Sequence, residues 1–85
     1  MEKSSDLVLY HILNDDDCAE VRRFIVENEL IERVHFRNID RSEEATKDLH
    51  QLSERASVPA LLAHQRLYIG KVEILAYLKS QITSS

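Results

Sequence analysis

The sequence predicts an α/β domain, a four-stranded mixed sheet flanked by helices in the order β-α-β-α-β-β-α. Two apolar runs rich in strand formers, residues 7–12 and 34–39, are separated by an amphipathic helical stretch. A strand, a helix and a second strand close as a parallel pair with a right-handed crossover. A second helical stretch then leads to two short runs, residues 60–63 and 66–69, spaced as a hairpin that joins the same sheet.

Each element has its own signal. Residues 7–12 read as a buried strand, and Asp15, Asp16 and Asp17 offer N-caps for the helix that follows. That helical segment runs over residues 19–30. Val21, Phe24 and Ile25 fall at i, i+3 and i+4 on its apolar face, with Arg22, Arg23 and Glu27 off it. Residues 34–39 largely alternate apolar and polar, as a strand with one covered face does. Asp40 and Glu43 have capping-box spacing, and Ser42 is another N-cap. Ala45, Leu49, Leu52 and Ala56 recur at i, i+4, i+7 and i+11, a second helix that Pro59 prevents from continuing. The hairpin turns at His64-Gln65, without the Asn-Gly or Asp-Gly such turns favour. Gly70 ends it. Ile74, Leu75, Leu78 and Ile82 give a third helix its apolar face. Residues 1–5 and 83–85 are expected to fray.

Composition bounds the function. Eighty-five residues make one domain, 1–85, with room for one small core. Charged residues at 31% argue for a soluble chain. No apolar run approaches the roughly 18–20 residues of a membrane span, and the first residues lack a signal-peptide core. A single cysteine excludes an internal disulfide and fits a reducing, cytoplasmic setting. A net charge of −4 without clustered Lys and Arg gives no reason to expect nucleic acid. His11, His35, His50 and His64 are dispersed, so no zinc spacing exists. Three consecutive carboxylates at a helix start read as a solvated cap rather than a cation site. His11, just before them, is placed to ion-pair with one. With one Gly and one Pro in the chain, Gly70 and Pro59 mark special backbone positions.

Three segments carry chemistry: Asp15-Asp16-Asp17-Cys18 after the first strand, Ser57-Val58-Pro59 before the hairpin, and Gly70-Lys71-Val72-Glu73-Ile74 opening the last helix. This layout resembles the glutaredoxin family of the thioredoxin fold, over residues 6–80. Members of that family carry Cys-Pro-x-Cys after the first strand. Five residues on from Tyr10 comes Asp15 and eight on comes Cys18. The second cysteine position is kept, and the first, nucleophilic one is an aspartate. The resemblance implies a redox fold whose dithiol chemistry is missing. It also implies that Pro59 is cis and that Val58 offers its N–H and C=O to a glutathione or peptide backbone. The family's glutathione anchors are altered. Ile12 stands where a Lys is usual, and the Gly-Gly-x-Asp-Asp segment is matched only by Gly70 and Glu73. Arg55, four residues before Pro59, is available to a carboxylate, while the aspartates repel an anion. The resemblance therefore implies weak or absent glutathione binding, and no other cofactor.

Cys18 has two readings. A helix N-terminus lowers a thiol pKa through a dipole worth roughly 0.3–1 kcal/mol. One carboxylate ~4 Å away is worth about 4 kcal/mol at an effective dielectric near 20, and less once screened. The aspartates are thus expected to cancel the dipole and leave Cys18 a small buried apolar residue. The other reading makes Cys18 the nucleophile of a monothiol oxidoreductase. The chain is also similar to the N-terminal domain of glutathione transferases. Tyr10 lies near that family's activating tyrosine, and Val58-Pro59-Ala60-Leu61 fits its Val-Pro-x-Leu segment. Its Glu-Ser pair is replaced here by Gly70-Lys71, which leaves Tyr10 as a core residue. The expected function is a non-catalytic binding or interaction module for a protein or peptide. Its groove is formed by Asp15, Asp16, Asp17, Cys18, Val58, Pro59, Gly70, Val72 and Glu73. A monothiol redoxin and a glutathione-binding, transferase-like domain are the alternatives.

Overall fold

A computed structural model describes residues 7–55 and 57–83. The chain runs β1 (Leu7–His11), α1 (Asp16–Glu27), one 3-10 turn (Ile31–Arg33), β2 (Val34–Asn38), α2 (Glu43–Leu52), β3 (Ala60–Ala63), β4 (Arg66–Ile69) and α3 (Lys71–Thr83). The strands form one mixed sheet in the order β2-β1-β3-β4. β2 lies parallel to β1, from Leu7 opposite Val34 to His11 opposite Asn38. β3 is antiparallel to β1, with Tyr10 opposite Ala60, and β4 is antiparallel to β3. Among the described residues, no helix is long and apolar enough to cross a membrane.

The strand period of two divides the side chains between two cores. Leu7, Leu9, Val34, Phe36, Leu61, Ala63 and Tyr68 share one face. Val21 and Ile25 of α1 and Ile74 and Leu78 of α3 cover it. Val8, Tyr10, Ala60, Leu62, Leu67 and Ile69 form the other face, under Leu49 of α2. Because β1 supplies both cores, it reads as a continuous apolar run rather than an alternating one. Burying a leucine fully is worth about 1.5–3 kcal/mol. Leu9, Leu49, Leu61 and Leu78, all without exposed surface, are therefore the main stabilising side chains. Arg37 of β2 pairs with Asp48 of α2 and fastens that helix to the edge strand.

The helix ends depart from the sequence pattern. α1 begins at Asp16, earlier than the apolar pattern at residue 19 suggests, because Asp15 caps it in an extended conformation. It ends at Glu27, and Leu30 lies outside it. The Leu30 N–H bonds the Ile25 carbonyl at 2.9 Å, and the Glu29 N–H bonds that of Val26 at 3.2 Å. Glu29 has φ 59°. This is a Schellman termination with a glutamate in the usual glycine position. Ser42, not Asp40, caps α2, its Oγ accepting from the Ala45 N–H at 3.1 Å. α2 stops at Leu52, which is 42% exposed and not part of the buried stripe. The chain is already extended at Ser53. The last position of the apolar pattern, Ala56, lies outside the described residues, as do residues 1–5 and 84–85 that were expected to fray. Thr83 is the last residue of α3.

Candidate functional site

Sheet pairing gathers the three chemistry-bearing segments at one end of the molecule. Tyr10 opposite Ala60 sets Pro59 beside the end of β1 and the turn into α1. The Gly70 N–H donates to the Pro59 carbonyl at 2.9 Å, which sets the start of α3 beside Pro59 as well. Lys71 closes the ring. Its Nζ lies 3.1 Å from Glu20 Oε1 and 3.7 Å from Asp17 Oδ1, so α3 is tied to the first turns of α1.

At the start of α1, Asp15 Oδ2 accepts the Cys18 backbone N–H at 2.9 Å. That hydrogen bond is the main reason the Asp15 carboxyl lies below its ordinary pKa. Cys18 belongs to the inward stripe with Val21 and Ile25 and has no exposed surface. Its thiol is pushed up to about 11, first by burial. Contact with Asp15 and the charge of that carboxylate add to the rise, while the Ile12 backbone and Arg22 oppose it. This corrects the expectation that the three aspartates together silence the thiol. Desolvation is the larger cause, and only Asp15 among them contributes. Asp16 and Asp17 are exposed on the first turn.

His11 is also placed differently from expectation. Its partner is Arg22, not an aspartate. Arg22 Nη1 donates to the Ile12 carbonyl at 2.9 Å and lies 3.1 Å from His11 Nδ1. A guanidinium only donates, so Nδ1 accepts and the neutral imidazole carries its proton on Nε2. Burial, and then the Arg22 charge, hold the His11 pKa below its ordinary value. The ring stands edge-on to Phe36, with centroids 5.7 Å apart.

The Val58-Pro59 peptide bond is cis, and Pro59 is fully buried. Val58 is half-buried. Among the described residues, neither its N–H nor its C=O takes part in a backbone hydrogen bond. Gly70 adopts φ 96°, a left-handed conformation that suits glycine, and its carbonyl accepts the Ile74 N–H in the first turn of α3. Beyond it, Val72 is 76% exposed and Glu73 is exposed. Tyr10 is buried on the α2 face with Leu49 and Ala60, under the Arg37 guanidinium, as a core residue. Arg55 is exposed between α2 and β3. Among the described residues, no group of three or more His, Cys, Asp or Glu is arranged to hold a metal ion.

The structure therefore brings Asp15, Asp17, Cys18, Pro59 and Gly70 to one end, with Val58 and Val72 beside them. Lys71 lies within the segment at residues 70–73 that the sequence offers as part of the groove, but its role as the tie between α3 and α1 is what sequence reasoning missed. Its signal was a cation in the first turn of a helix, where the dipole opposes it, which requires acidic partners from elsewhere.

No family model and no curated protein matches this chain. Among solved structures, the crystal structure of a buckwheat glutaredoxin-glutathione complex is similar, with a TM-score of 0.70 over 89% of this chain and 70% of that one. The fold is glutaredoxin-like. Sequence identity is 14%, so the likeness concerns the arrangement of elements. Within this glutaredoxin-like fold, Asp15 is the N-cap of α1 and Cys18 its third residue.

Proposed function

We propose that this glutaredoxin-like chain is a non-catalytic binding module that holds an extended segment of a protein or peptide. The groove runs past Asp15, Asp16 and Asp17, along Val58 and Pro59, to Gly70, Val72 and Glu73. The observation that carries the reading is the Asp15 carboxylate on the Cys18 N–H. Free N–H groups at a helix start attract a thiolate or another anion, and here a resident carboxylate takes one of them. With a thiol pKa of about 11, on the order of one Cys18 in ten thousand is a thiolate at neutral pH. The N–H and C=O of Val58, without a backbone partner among the described residues, support recognition by strand-like pairing. Exposed Val72 adds apolar contact, and the surrounding acids favour a segment carrying Lys or Arg.

Under this reading glutathione, the ligand in the buckwheat complex, binds here only weakly. A cytoplasmic, reducing location suits a chain whose lone thiol is inert. Alkylation of Cys18 in the native protein, alongside a hydroxyethyl-disulfide reduction assay, tests the proposal. Slow alkylation without turnover is expected. Fast alkylation with turnover would make Cys18 a working monothiol and end the non-catalytic reading. Backbone amide shifts at Val58 and Val72 with low-millimolar glutathione would establish a glutathione site instead.

A further inference from the structure

We infer that the open flank between α1 and the edge strand β2 is a second binding site, which takes a small amphipathic anion with an apolar body and a carboxylate head. A cleft of about 530 Å³ lies there, within the roughly 300–1,000 Å³ of small-molecule sites. Ala19 and Val26 of α1, Ile31 of the following turn and Phe36 of β2 form its apolar floor. Val26 is 54% exposed and Ile31 48% exposed. Two large aliphatic side chains are thus held in water side by side, off the stripe that α1 buries.

The charge of this wall is opposite to that of the molecule. The chain carries a net charge of −4, yet the charged side chains lining the cleft are Arg22 and Arg23. Arg22 is fixed before any ligand arrives, because Nη1 alone holds the Ile12 carbonyl and His11 Nδ1. Its other donors have no protein acceptor among the described residues. Arg23 is exposed and has neither a hydrogen bond nor an ion pair among them. A prepositioned guanidinium beside an apolar floor binds a carboxylate by charge-assisted hydrogen bonds at little ordering cost. The far end, beyond Ile31, is bordered by Glu29 and Glu32, so the head group lies toward the arginines and the apolar body toward Ile31. This site is separate from the groove at Val58 and does not depend on it.

Titration of the labelled, full-length protein with 2-naphthoate, followed by amide shifts, tests the inference. 2-Naphthalenemethanol serves as the uncharged control. Saturable shifts are expected at Ala19, Val26, Ile31 and Phe36, with Val58 and Gly70 unmoved. The alcohol should bind about tenfold more weakly, and Arg23→Gln should weaken naphthoate by a similar factor, on the order of one charge-assisted hydrogen bond. Arg23 is the decisive position because it supports no other part of the fold, whereas Arg22→Gln also frees His11. Absence of saturable shifts at the flank, equal binding of the alcohol, or shifts confined to Val58 and Gly70 would each overturn it.

Discussion

The Cys18 thiol pKa is raised chiefly by burial. Asp15 adds to that by hydrogen bond and charge, and the two effects are separable. Replacing Asp15, Asp16 and Asp17 together with Asn keeps the capping ability of residue 15 and removes the charges. The thiol pKa should fall, yet remain above that of an exposed cysteine, because desolvation is the first cause of the shift. Alkylation at neutral pH should therefore stay slow until the protein unfolds, as rates in increasing urea would reveal. A pKa near that of a free thiol in the variant would mean that charge, not burial, dominates. His11 gives a second residue-scale expectation. Its folded pKa is depressed, so the unfolded chain binds the proton first. The contribution of the neutral ring to stability is fully present above its unfolded pKa of about 6.5 and is lost as pH falls through the folded value. Urea midpoints between about pH 5 and 7.5 should decline toward acid. His11→Asn, which keeps an acceptor for Arg22 without titrating, should flatten that slope.

Helix starts were legible in the sequence and helix ends were not. Asp15 and Ser42 are residues whose side chains accept from the backbone two or three positions on, so they announce a cap by type. The end of α1 has no such mark. The Schellman termination needs a left-handed residue, and Glu29 supplies it at φ 59° where glycine would have been the readable signal. The apolar period simply runs on to Leu30, which is buried as part of the terminating motif and not of the helix. The overrun at α2 has a similar origin, since Leu52 keeps helical spacing with Leu49 but is the last residue of the helix, and the chain leaves for the sheet from Ser53 on. A glutamate in the left-handed region costs roughly 1–2 kcal/mol. Glu29→Gly should thus stabilise the protein by about 1 kcal/mol, raising Tm by about 4–8 °C in a domain of this size. An unchanged or lower Tm would show that Glu29 is held there without strain.

For the whole molecule, topology was legible because each strand announces its faces. β2 alternates, with Val34 and Phe36 facing one core and His35 and Arg37 the other side. β1, buried on both faces, reads as unbroken apolar. The order of elements then leaves few ways to build a sheet. The links that finish the candidate site were not legible. Lys71 with Glu20 spans 51 residues, and Arg22 with His11 joins a helix to the strand before it. No periodicity connects such pairs, because surface charges meet only after the fold has placed them. Of the three aspartates, Asp15 is the cap, while Asp16 and Asp17 belong to the first turn. Burial of Cys18 agrees with the sequence expectation, but its place on the inward stripe with Val21 and Ile25, and not the aspartates, is what produces it.

The hairpin turn has a wider consequence. His64 and Gln65 hold φ 51° and 75°, a conformation for which Asn-Gly is the natural choice. A chain that tolerates this has not been driven to its stability optimum; proteins are kept only somewhat above the threshold that function demands. Gln65→Gly should raise the urea midpoint by the equivalent of about 1 kcal/mol, with no effect at the far end of the sheet. An unchanged midpoint would show that Gln65 sits there without penalty. The reserve so gained is a tool for protein engineering. In that background, bolder substitutions at Asp15, Val58 or Val72 can be tested for their effect on recognition without the variant being lost to misfolding.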